Sequence, residues 1–204
     1  MDRPPEHTRG RTATRRRFLQ GAGLSGLAAS ALPLTALPRR AFAQEAGDAA
    51  ITAFLESIEL ALVEVYGQID TALLTPELAA DLGRFAQHHR EHATALAGAA
   101  GDEATGEPNR ELLGDLDDEQ ARVRDETAVL RLVLSLESSA AATYLFALGA
   151  LEARDALALA ASVLPVESEH AIVFGTALER PVTELVPVFQ NQDAAFKPES
   201  FPVD

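Results

Sequence analysis

The chain has 204 residues, which is enough for one domain with a substantial hydrophobic core. Alanine and leucine are abundant and aromatic residues make up only 5%, so the composition favours an all-α fold. Cysteine is absent, which excludes disulfides, zinc–thiolate sites, iron–sulfur clusters and thiol nucleophiles. The formal net charge of −14 argues against nucleic acid as a partner.

Residues 1–43 have the features of a targeting segment. The run TRRRFLQ at residues 14–20 resembles the twin-arginine export motif, a weakly apolar stretch follows at residues 21–37, and AFA at residues 41–43 is a small-residue cleavage signature. We predict that the twin-arginine export machinery moves the folded chain to the periplasm or the cell exterior. Cleavage after Ala43 then leaves no stable membrane insertion. An uncleaved membrane anchor is the alternative, but the apolar stretch is short for a membrane span.

Removal of this segment changes the charge balance of the chain. Residues 1–43 hold 8 of the 17 basic residues and 2 of the 31 acidic ones, so the rest carries 9 basic and 29 acidic residues, a net charge near −20. A surface of that charge repels nucleic acid and anionic membranes and attracts cations weakly. The lack of cysteine also fits a protein that folds in a reducing compartment before export.

Apolar periodicity and capping signals predict four long helices beyond residue 43. The run Thr75-Pro76-Glu77 marks the start of the second helix, because it supplies an N-cap residue, a proline suited to the first helical position and an acid in the first turn. The four helices are predicted at about residues 48–71, 76–99, 118–150 and 154–179.

The connections between these helices indicate how they are arranged. The links within the first pair and within the second pair are short, whereas residues 101–114 contain Gly, Asp, Pro and Asn and form a long connector between the pairs. Short turns and one long crossover are typical of one class of four-helix bundle. We predict this bundle over residues 44–180 and an extended, proline-containing tail over residues 181–204.

A set of polar residues recurs at an offset of 78 residues. The recurring residues are Ser57, Glu59 and Tyr66 with Ser135, Glu137 and Tyr144, and Glu91-His92-Ala93 with Glu169-His170-Ala171. In each copy the glutamate before the tyrosine lies 33 residues before the histidine, while the apolar residues around the tyrosines are not repeated. Duplication explains this offset, so the predicted bundle consists of two duplicated helix pairs.

Glu137 is the most informative of these residues, because it is the only charged residue between Arg131 and Glu152. A helix that is apolar on nearly all sides is buried, and a lone buried carboxylate is costly unless it is paired, hydrogen-bonded or bound to a cation. We interpret Glu137 as a metal ligand and Glu59 as its counterpart in the first helix. A buried pair with arginine or histidine and a membrane-spanning helix are the alternatives.

The second and fourth helices add histidines at ligand spacing. Glu167 and His170 are three residues apart and therefore project from one face of the fourth helix. Metal sites in such bundles take one Glu from each of two helices and Glu-x-x-His from the other two, but the second helix has His89 at the position of the glutamate. The candidate metal ligands are Glu59, His89, His92, Glu137, Glu167 and His170.

His89 leaves two interpretations of this site open. In the first, His89 and His92 form a metal-binding pair, because two histidines three residues apart share a helix face, and a dinuclear iron or manganese site lacks one carboxylate bridge. In the second, His89 is a surface residue beside His88 and Arg90, and only a mononuclear site exists.

Tyr66 and Tyr144 each lie seven residues after a candidate ligand, Glu59 or Glu137. Seven residues make nearly two helical turns, so each tyrosine shares the stripe of its glutamate at about 10 Å along the axis. Two interpretations of these tyrosines are open. A tyrosine on this face is more often a core residue with a satisfied hydroxyl. In the other interpretation, the two tyrosines hydrogen-bond groups around the ligands or carry an electron.

These motifs resemble the ferritin-like domain family, which includes exported and desiccation-related bacterial proteins. Residues 58–66 and 136–144 are similar to the Leu-Glu…Tyr elements of its first and third helices, and VESEHA at residues 166–171 is similar to the Val-Glu-x-x-His-Ala of its fourth. The second helix matches the Glu-x-x-His of the family only at His92. The resemblance covers about residues 50–178 and implies a ferritin-like four-helix bundle with a di-iron or di-manganese centre.

Two functions fit these predictions, and whether the chain is an enzyme is left open. The first is an oxidoreductase-type metal site that acts on Fe(II), peroxide or oxygen. The second is a non-catalytic envelope protein whose polar cluster is a hydrogen-bonded remnant and whose role is stress protection or binding. Iron storage in a hollow shell is a weaker third hypothesis, because the sequence shows no feature of cage-forming contacts. A homo-oligomer of another kind is compatible with the sequence.

Overall fold

The structure is a computed structural model that describes residues 47–188 and 191–203. The predicted export signal at residues 1–43 lies outside the described residues. Within them the chain forms six α-helices and no β-strand, which confirms the all-α prediction. The helices are α1 (Asp48–Gln68), α2 (Pro76–Ala100), α3 (Arg110–Gln120), α4 (Glu126–Ala150), α5 (Arg154–Ala177) and α6 (Val182–Leu185).

Four of these helices, α1, α2, α4 and α5, form a bundle. Helix α1 packs along α2 and α4 packs along α5, and the two pairs meet where α1 contacts α4 and α2 contacts α5. The turn from α1 to α2 contains a 3₁₀ helix at Thr71–Leu73, and residues 151–153 link α4 to α5. Buried aliphatic and aromatic side chains fill the space between the helices, among them Phe54, Leu62, Leu96, Val133, Ala147 and Phe174.

The connector between the two pairs contains a helix that the sequence does not predict. Asn109 caps α3 by accepting a hydrogen bond from the backbone N–H of Leu112 at 3.0 Å. Leu112 and Leu116 lie one helical turn apart and are both buried, so they hold α3 against the bundle. The first residues of the predicted third long helix therefore belong to α3, and α4 begins at Glu126 rather than near residue 118.

The crossover that follows α2 is fastened to the outer face of α1. Buried Glu56 accepts hydrogen bonds from the backbone N–H groups of Thr105 at 2.8 Å and Gly106 at 3.1 Å. Gly106 has a φ of +63°, a conformation that favours glycine. The backbone N–H of Asn109 donates to the carbonyl oxygen of Ser57 at 2.9 Å. This face of α1 is thus covered by the connector of the same chain.

An acidic residue at the start of each helix pair binds the turn of the other pair. Asp48 in the first turn of α1 accepts hydrogen bonds from the backbone N–H groups of Glu152, at 3.0 Å, and of Ala153. Glu126 in the first turn of α4 accepts one from Thr75 N at 2.8 Å. Asp48 and Glu126 are 78 residues apart, and so are Thr75 and Ala153. The sequence repeat is therefore a pseudo-two-fold relation between the two helix pairs.

The tail packs on the second helix pair and begins with α6, although the sequence predicts extended chain there. The side chain of Leu185 lies so close to Gly175 of α5 that a Cβ atom on the glycine would lie 2.2 Å from Leu185 Cδ2. Farther along, the backbone N–H of Phe196 donates to Thr143 Oγ1 at 2.8 Å, and the Phe196 ring is buried.

Helices α4 and α5 are long and apolar enough to cross a membrane by length and composition alone. In α4, 56% of the most apolar 18-residue stretch is buried inside the bundle, and in α5 the share is 28%. Core helices of bundles meet the same criterion, because they turn apolar faces to one another. The packing of α4 against α5 and α1, together with the tail contact at Thr143, accounts for its apolar sequence without a membrane.

Candidate metal centre

The structure brings the six predicted ligand residues into one cluster in the bundle core. One comes from α1, two from α2, one from α4 and two from α5, in chain order Glu59, His89, His92, Glu137, Glu167 and His170. Five of them are buried, and His92 has 14% of its side chain exposed. The cluster is therefore almost closed to water and has its most accessible side at His92.

Helix spacing explains why these side chains converge. Residues three apart share a helix face, so His89 with His92 on α2, and Glu167 with His170 on α5, turn to the same core. Glu137 lies among buried apolar residues of α4. Charged groups are costly to bury in such surroundings unless they are paired or bind a cation. The polar groups of the cluster must therefore satisfy one another or an ion.

The cluster consists of two overlapping groups, and the ligand atoms within each group lie within 4.8 Å of one another. The first group is Glu59, His89, His92 and Glu167, and the second is His89, Glu137, Glu167 and His170. Two atoms bound at about 2.1 Å to one ion lie up to about 4 Å apart, so a small contraction would fit each group to a cation. The two groups share His89 and Glu167.

His89 connects the two groups through its two ring nitrogens. Its Nδ1 lies 2.7 Å from Glu59 Oε2, and its Nε2 lies 3.1 Å from Glu137 Oε1. Burial lowers the pKa of His89, but the charges of Glu137 and Glu167 outweigh burial and raise this pKa well above its ordinary value. This shift favours the protonated imidazole between the two carboxylates in the metal-free protein. The second interpretation of the sequence requires His89 to be a surface residue, but His89 is buried.

Glu167 occupies the position that corresponds to His89 by the 78-residue repeat. Its Oε1 lies 2.9 Å from His92 Nδ1, and its Oε2 lies 3.7 Å from His170 Nδ1. The closer pair is not aligned for a hydrogen bond, so His92 Nδ1 and both Glu167 oxygens are buried without a hydrogen-bond partner among the described residues. Such atoms are rare in folded proteins, and one cation between them would satisfy all three.

Burial and close pairing shift the pKa values of the cluster in opposite directions. Burial raises the pKa of Glu59, but hydrogen bonds and the charges of His89 and His92 lower it to about 2. Burial and then the charge of Glu59 raise the pKa of Glu167. Burial lowers the pKa of His92, but the carboxylates of Glu167 and Glu59 raise it to about 9. Protons therefore reside mainly on the imidazoles, and a metal ion that binds here displaces them.

The two tyrosines bind the two carboxylates crosswise. Tyr66 of α1 donates a hydrogen bond to Glu137 of α4, and Tyr144 of α4 donates one to Glu59 of α1. Burial and the neighbouring carboxylates raise the pKa of both tyrosines, so both hydroxyls stay protonated. Glu59 and Glu137 are thus each held by a tyrosine of the opposite helix pair. Electron transfer through the tyrosines stays a prediction.

His88 contacts the cluster but is absent from the predicted ligand set. Its Nδ1 lies 2.9 Å from His170 Nε2, whereas His170 Nδ1 lies 3.1 Å from Glu137 Oε2. Phe85 stacks on the same imidazole, with ring centroids 3.9 Å apart. The sequence contains a signal for the position of His88 on the ligand face of α2, because His88 lies four residues before His92 and residues four apart share a helix face. Its contact with His170 depends on how α2 packs against α5.

Comparison with known proteins identifies the family. Residues 18–180 match the family model of the ferritin-like domain, so the chain belongs to the ferritin-like domain family and the predicted resemblance is confirmed. A search of curated proteins and a search of solved structures found no match. That the chain is of the exported, desiccation-related type stays a prediction.

The donor atoms fit the metals that this fold binds. Imidazole suits iron and carboxylate suits manganese, and three of each meet in this cluster. Ferritin-like di-iron and di-manganese sites take one Glu from each of two helices and Glu-x-x-His from each of the other two. This chain departs from that arrangement at His89 alone. The family and the cluster together support metal binding in general.

Proposed function

We propose that the chain binds iron or manganese at this centre and oxidises Fe(II) with peroxide or oxygen. The observation that carries the proposal is the group of buried polar atoms on Glu167 and His92 that have no hydrogen-bond partner among the described residues. Glu167 Oε1 and His92 Nδ1 lie 2.9 Å apart, so a small outward movement would let one cation bind both. A bound transition metal would supply the redox chemistry. For hydrogen peroxide, two electrons from two Fe(II) ions and two protons convert each peroxide molecule into two water molecules.

The residues of the cluster would bind and orient the ions. Glu59 with His92 and Glu137 with His170 form the two ends of the cluster, while Glu167 lies within reach of both histidines. Hydrogen bonds from the crossed tyrosines hold the two terminal carboxylates in place, as groups outside the ligand sphere do in other metal sites. The surrounding apolar side chains exclude water and strengthen the electrostatic interactions of the site.

Metal content tests the binding part of this proposal. Protein without a histidine tag is produced with iron and manganese in the medium, and its metals are measured by mass spectrometry. We expect bound metal in the wild type and a loss of most of it in Glu137→Ala/His170→Ala. The matched control is Glu91→Ala/Glu169→Ala, which removes two acids next to candidate ligands in the sequence. Equal metal content in the wild type and in Glu137→Ala/His170→Ala would overturn the proposal.

Fe(II) oxidation tests the catalytic part. Ferric iron formation is followed by absorbance after Fe(II) and hydrogen peroxide are mixed with the metal-loaded protein. We expect a faster reaction than in buffer, and the buffer rate for Glu137→Ala/His170→Ala. A protein that retains metal but does not accelerate the reaction would be a metal-binding protein without this activity.

The second candidate function is a non-catalytic envelope protein for stress protection or binding. The contacts of His89 favour it, since this imidazole already pairs with Glu59 and Glu137 and neutralises part of the cluster without a metal. In that case the melting temperature does not change with Fe(II), Mn(II) or chelators. A large rise with metal counts against it, because a ligand that binds only the folded state raises the apparent stability.

We also propose that the chain is exported in folded form. The support is the run TRRRFLQ at residues 14–20, together with the cleavage signature at residues 41–43. Cell fractionation of a host with the twin-arginine pathway tests the proposal. We expect the wild type outside the cytoplasm with its new N-terminus at Gln44, and Arg15→Lys/Arg16→Lys retained inside. Cytoplasmic wild-type protein of full length would contradict it.

A further inference from the structure

A surface pocket lies on the outer face of the second helix pair, away from the core cluster. It has a volume of about 260 Å³. Its lining consists of two arginines, two serines and two leucines from α4 and from the end of α5, namely Arg131, Leu134, Ser135, Ser138, Leu178 and Arg180. We call these six residues the α4 groove.

The pseudo-two-fold relation identifies the counterpart of the α4 groove on the first helix pair. Seventy-eight residues earlier, the corresponding positions are Ala53, Glu56, Ser57, Leu60, Ala100 and Asp102. The crossover lies over these positions, as the hydrogen bonds of Glu56 and Ser57 with residues 105–109 show. Ser57 is 2% exposed for that reason, whereas its counterpart Ser135 is exposed. One groove is filled by an extended segment of the chain, and the other is open.

The two grooves also differ in polarity. On the first pair an acidic side chain accepts backbone N–H groups of the connector, whereas on the second pair basic side chains offer donors. The replacements are Leu134 for Glu56, Arg131 for Ala53 and Arg180 for Asp102. The open groove therefore suits a segment that brings carboxylates, while the filled groove suits one that brings backbone N–H groups.

The two arginines differ in whether they already have an acidic partner. Arg180 hydrogen-bonds Glu184 at 2.9 and 2.6 Å. Arg131 takes part in none of the ion pairs among the described residues, where the arginines involved are Arg84, Arg122 and Arg180. Only 9 basic residues follow residue 43. Arg131 is therefore a local positive charge on an acidic surface, next to Arg180, whose charge is partly neutralised by Glu184.

We propose that the α4 groove binds an extended, acidic peptide segment of a partner protein. Carboxylates of the segment pair with Arg131 and Arg180, its polar groups hydrogen-bond the hydroxyls of Ser135 and Ser138, and its apolar side chains pack between Leu134 and Leu178. The occupied groove of the first pair is the internal precedent for an extended segment at this position. The proposal is independent of metal at the core cluster.

Peptide binding to the full chain tests this proposal. The probe is a fluorescein-labelled peptide DEATGEPN, a copy of residues 102–109 that supplies three acids in the segment that fills the equivalent groove. Its control is NQATGQPN, in which amides replace the acids. Fluorescence anisotropy at low salt should show binding of the acidic peptide and weaker binding of the amide peptide by at least about tenfold, since hydrogen bonds to charged groups are strong.

Variants separate the α4 groove from general surface charge. Arg131→Gln should weaken binding of DEATGEPN about tenfold, and Ser135→Trp should abolish it by filling the groove. Arg84→Gln removes the same charge from an exposed site on α2 and should leave binding unchanged. Circular dichroism confirms that each variant is folded.

Four results would overturn the proposal. The first two are no binding of the acidic peptide and equal binding of the acidic and amide peptides. The third is an equal loss of peptide affinity in Arg131→Gln and Arg84→Gln. The fourth is displacement of the peptide by inorganic phosphate at equal concentration, which would indicate a site for small anions. A wild-type dimer that Arg131→Gln dissociates in light scattering would replace the partner with a second copy of this chain.

Discussion

The two helix pairs of the bundle, α1–α2 and α4–α5, make the same contacts with each other but differ at their solvent-exposed faces and at the core cluster. Each pair uses an acid to bind the turn of the other, and each uses a tyrosine to hold the glutamate of the other. At the centre, however, His89 on one pair faces Glu167 on the other. The scaffold of the site is symmetric, and its chemistry is not.

The symmetric contacts indicate which residues the fold needs in both helix pairs. A tyrosine that crosses to the opposite glutamate stabilises both pairs, so loss of one contact leaves a buried carboxylate with one donor fewer. His89 and Glu167 instead lie between the pairs and each touch both groups of ligands. A substitution there changes the charge of the centre and leaves the crossed tyrosine contacts and the turn contacts in place.

Removal of the terminal carboxylates should have the largest effect. Glu137→Ala leaves the donors of Tyr66, His89 and His170 without an acceptor in the core, so we expect the metal-free protein to lose about 3–5 kcal/mol of unfolding free energy. Glu59→Ala should cost a similar amount. Urea unfolding followed by circular dichroism measures both. A cost below about 1 kcal/mol for only one of them would show that the pairs are not equivalent.

Restoring the missing glutamate should change the metal content. His89→Glu gives α2 the same ligand pair that Glu167 and His170 form on α5, and the added carboxylate increases the affinity for divalent cations. We expect about one more iron or manganese ion per chain than in the wild type, measured by mass spectrometry after loading and gel filtration. Unchanged stoichiometry would mean that His89 already serves as a ligand equivalent to glutamate.

The crossed tyrosines should contribute equally to stability. Tyr66→Phe and Tyr144→Phe each remove one hydroxyl that donates to a buried carboxylate, so each should cost about 1–3 kcal/mol of unfolding free energy. Thermal and urea unfolding of the two single variants give the comparison. A loss confined to one tyrosine would contradict the two-fold equivalence of these contacts.

The acids that bind the turns should have the smallest effect. Asp48→Ala and Glu126→Ala each leave backbone N–H groups of the opposite turn without their acceptor, at a cost of about 0.5–2 kcal/mol, as for a lost helix cap. Glu152→Ala, an exposed acid in one of these turns, is the control and should stay within about 0.5 kcal/mol of the wild type. A control as destabilised as the two variants would assign the effect to surface charge.

Much of the fold could be predicted from the sequence because its signals are local or repeated. Thr75 and Pro76 mark the start of α2, and the 78-residue offset pairs Glu59 with Glu137 by residue type and spacing alone. Helix α3 is missed because Gly114 and several aspartates in it have low helix propensity, although Asn109 as an N-cap is a usable signal.

Contacts between distant segments lie beyond the reach of sequence patterns. The hydrogen bond of His88 with His170 depends on how α2 and α5 are rotated against each other, which spacing along one helix does not define. The open α4 groove depends on where the tail leaves α5, and that path is directed by the packing of Leu185 on Gly175. Tertiary packing, rather than propensity, decides both features.

The connector that joins α2 to α4 has an evolutionary consequence. Two separate copies of one helix pair would build both crossed tyrosine contacts by forming a dimer, but every substitution in such a dimer appears twice. A histidine at the centre would then face a second histidine. Once both copies lie on one chain, each can mutate alone, and one imidazole can stand opposite one carboxylate. A single chain thus permits an asymmetric centre within symmetric tyrosine and turn contacts.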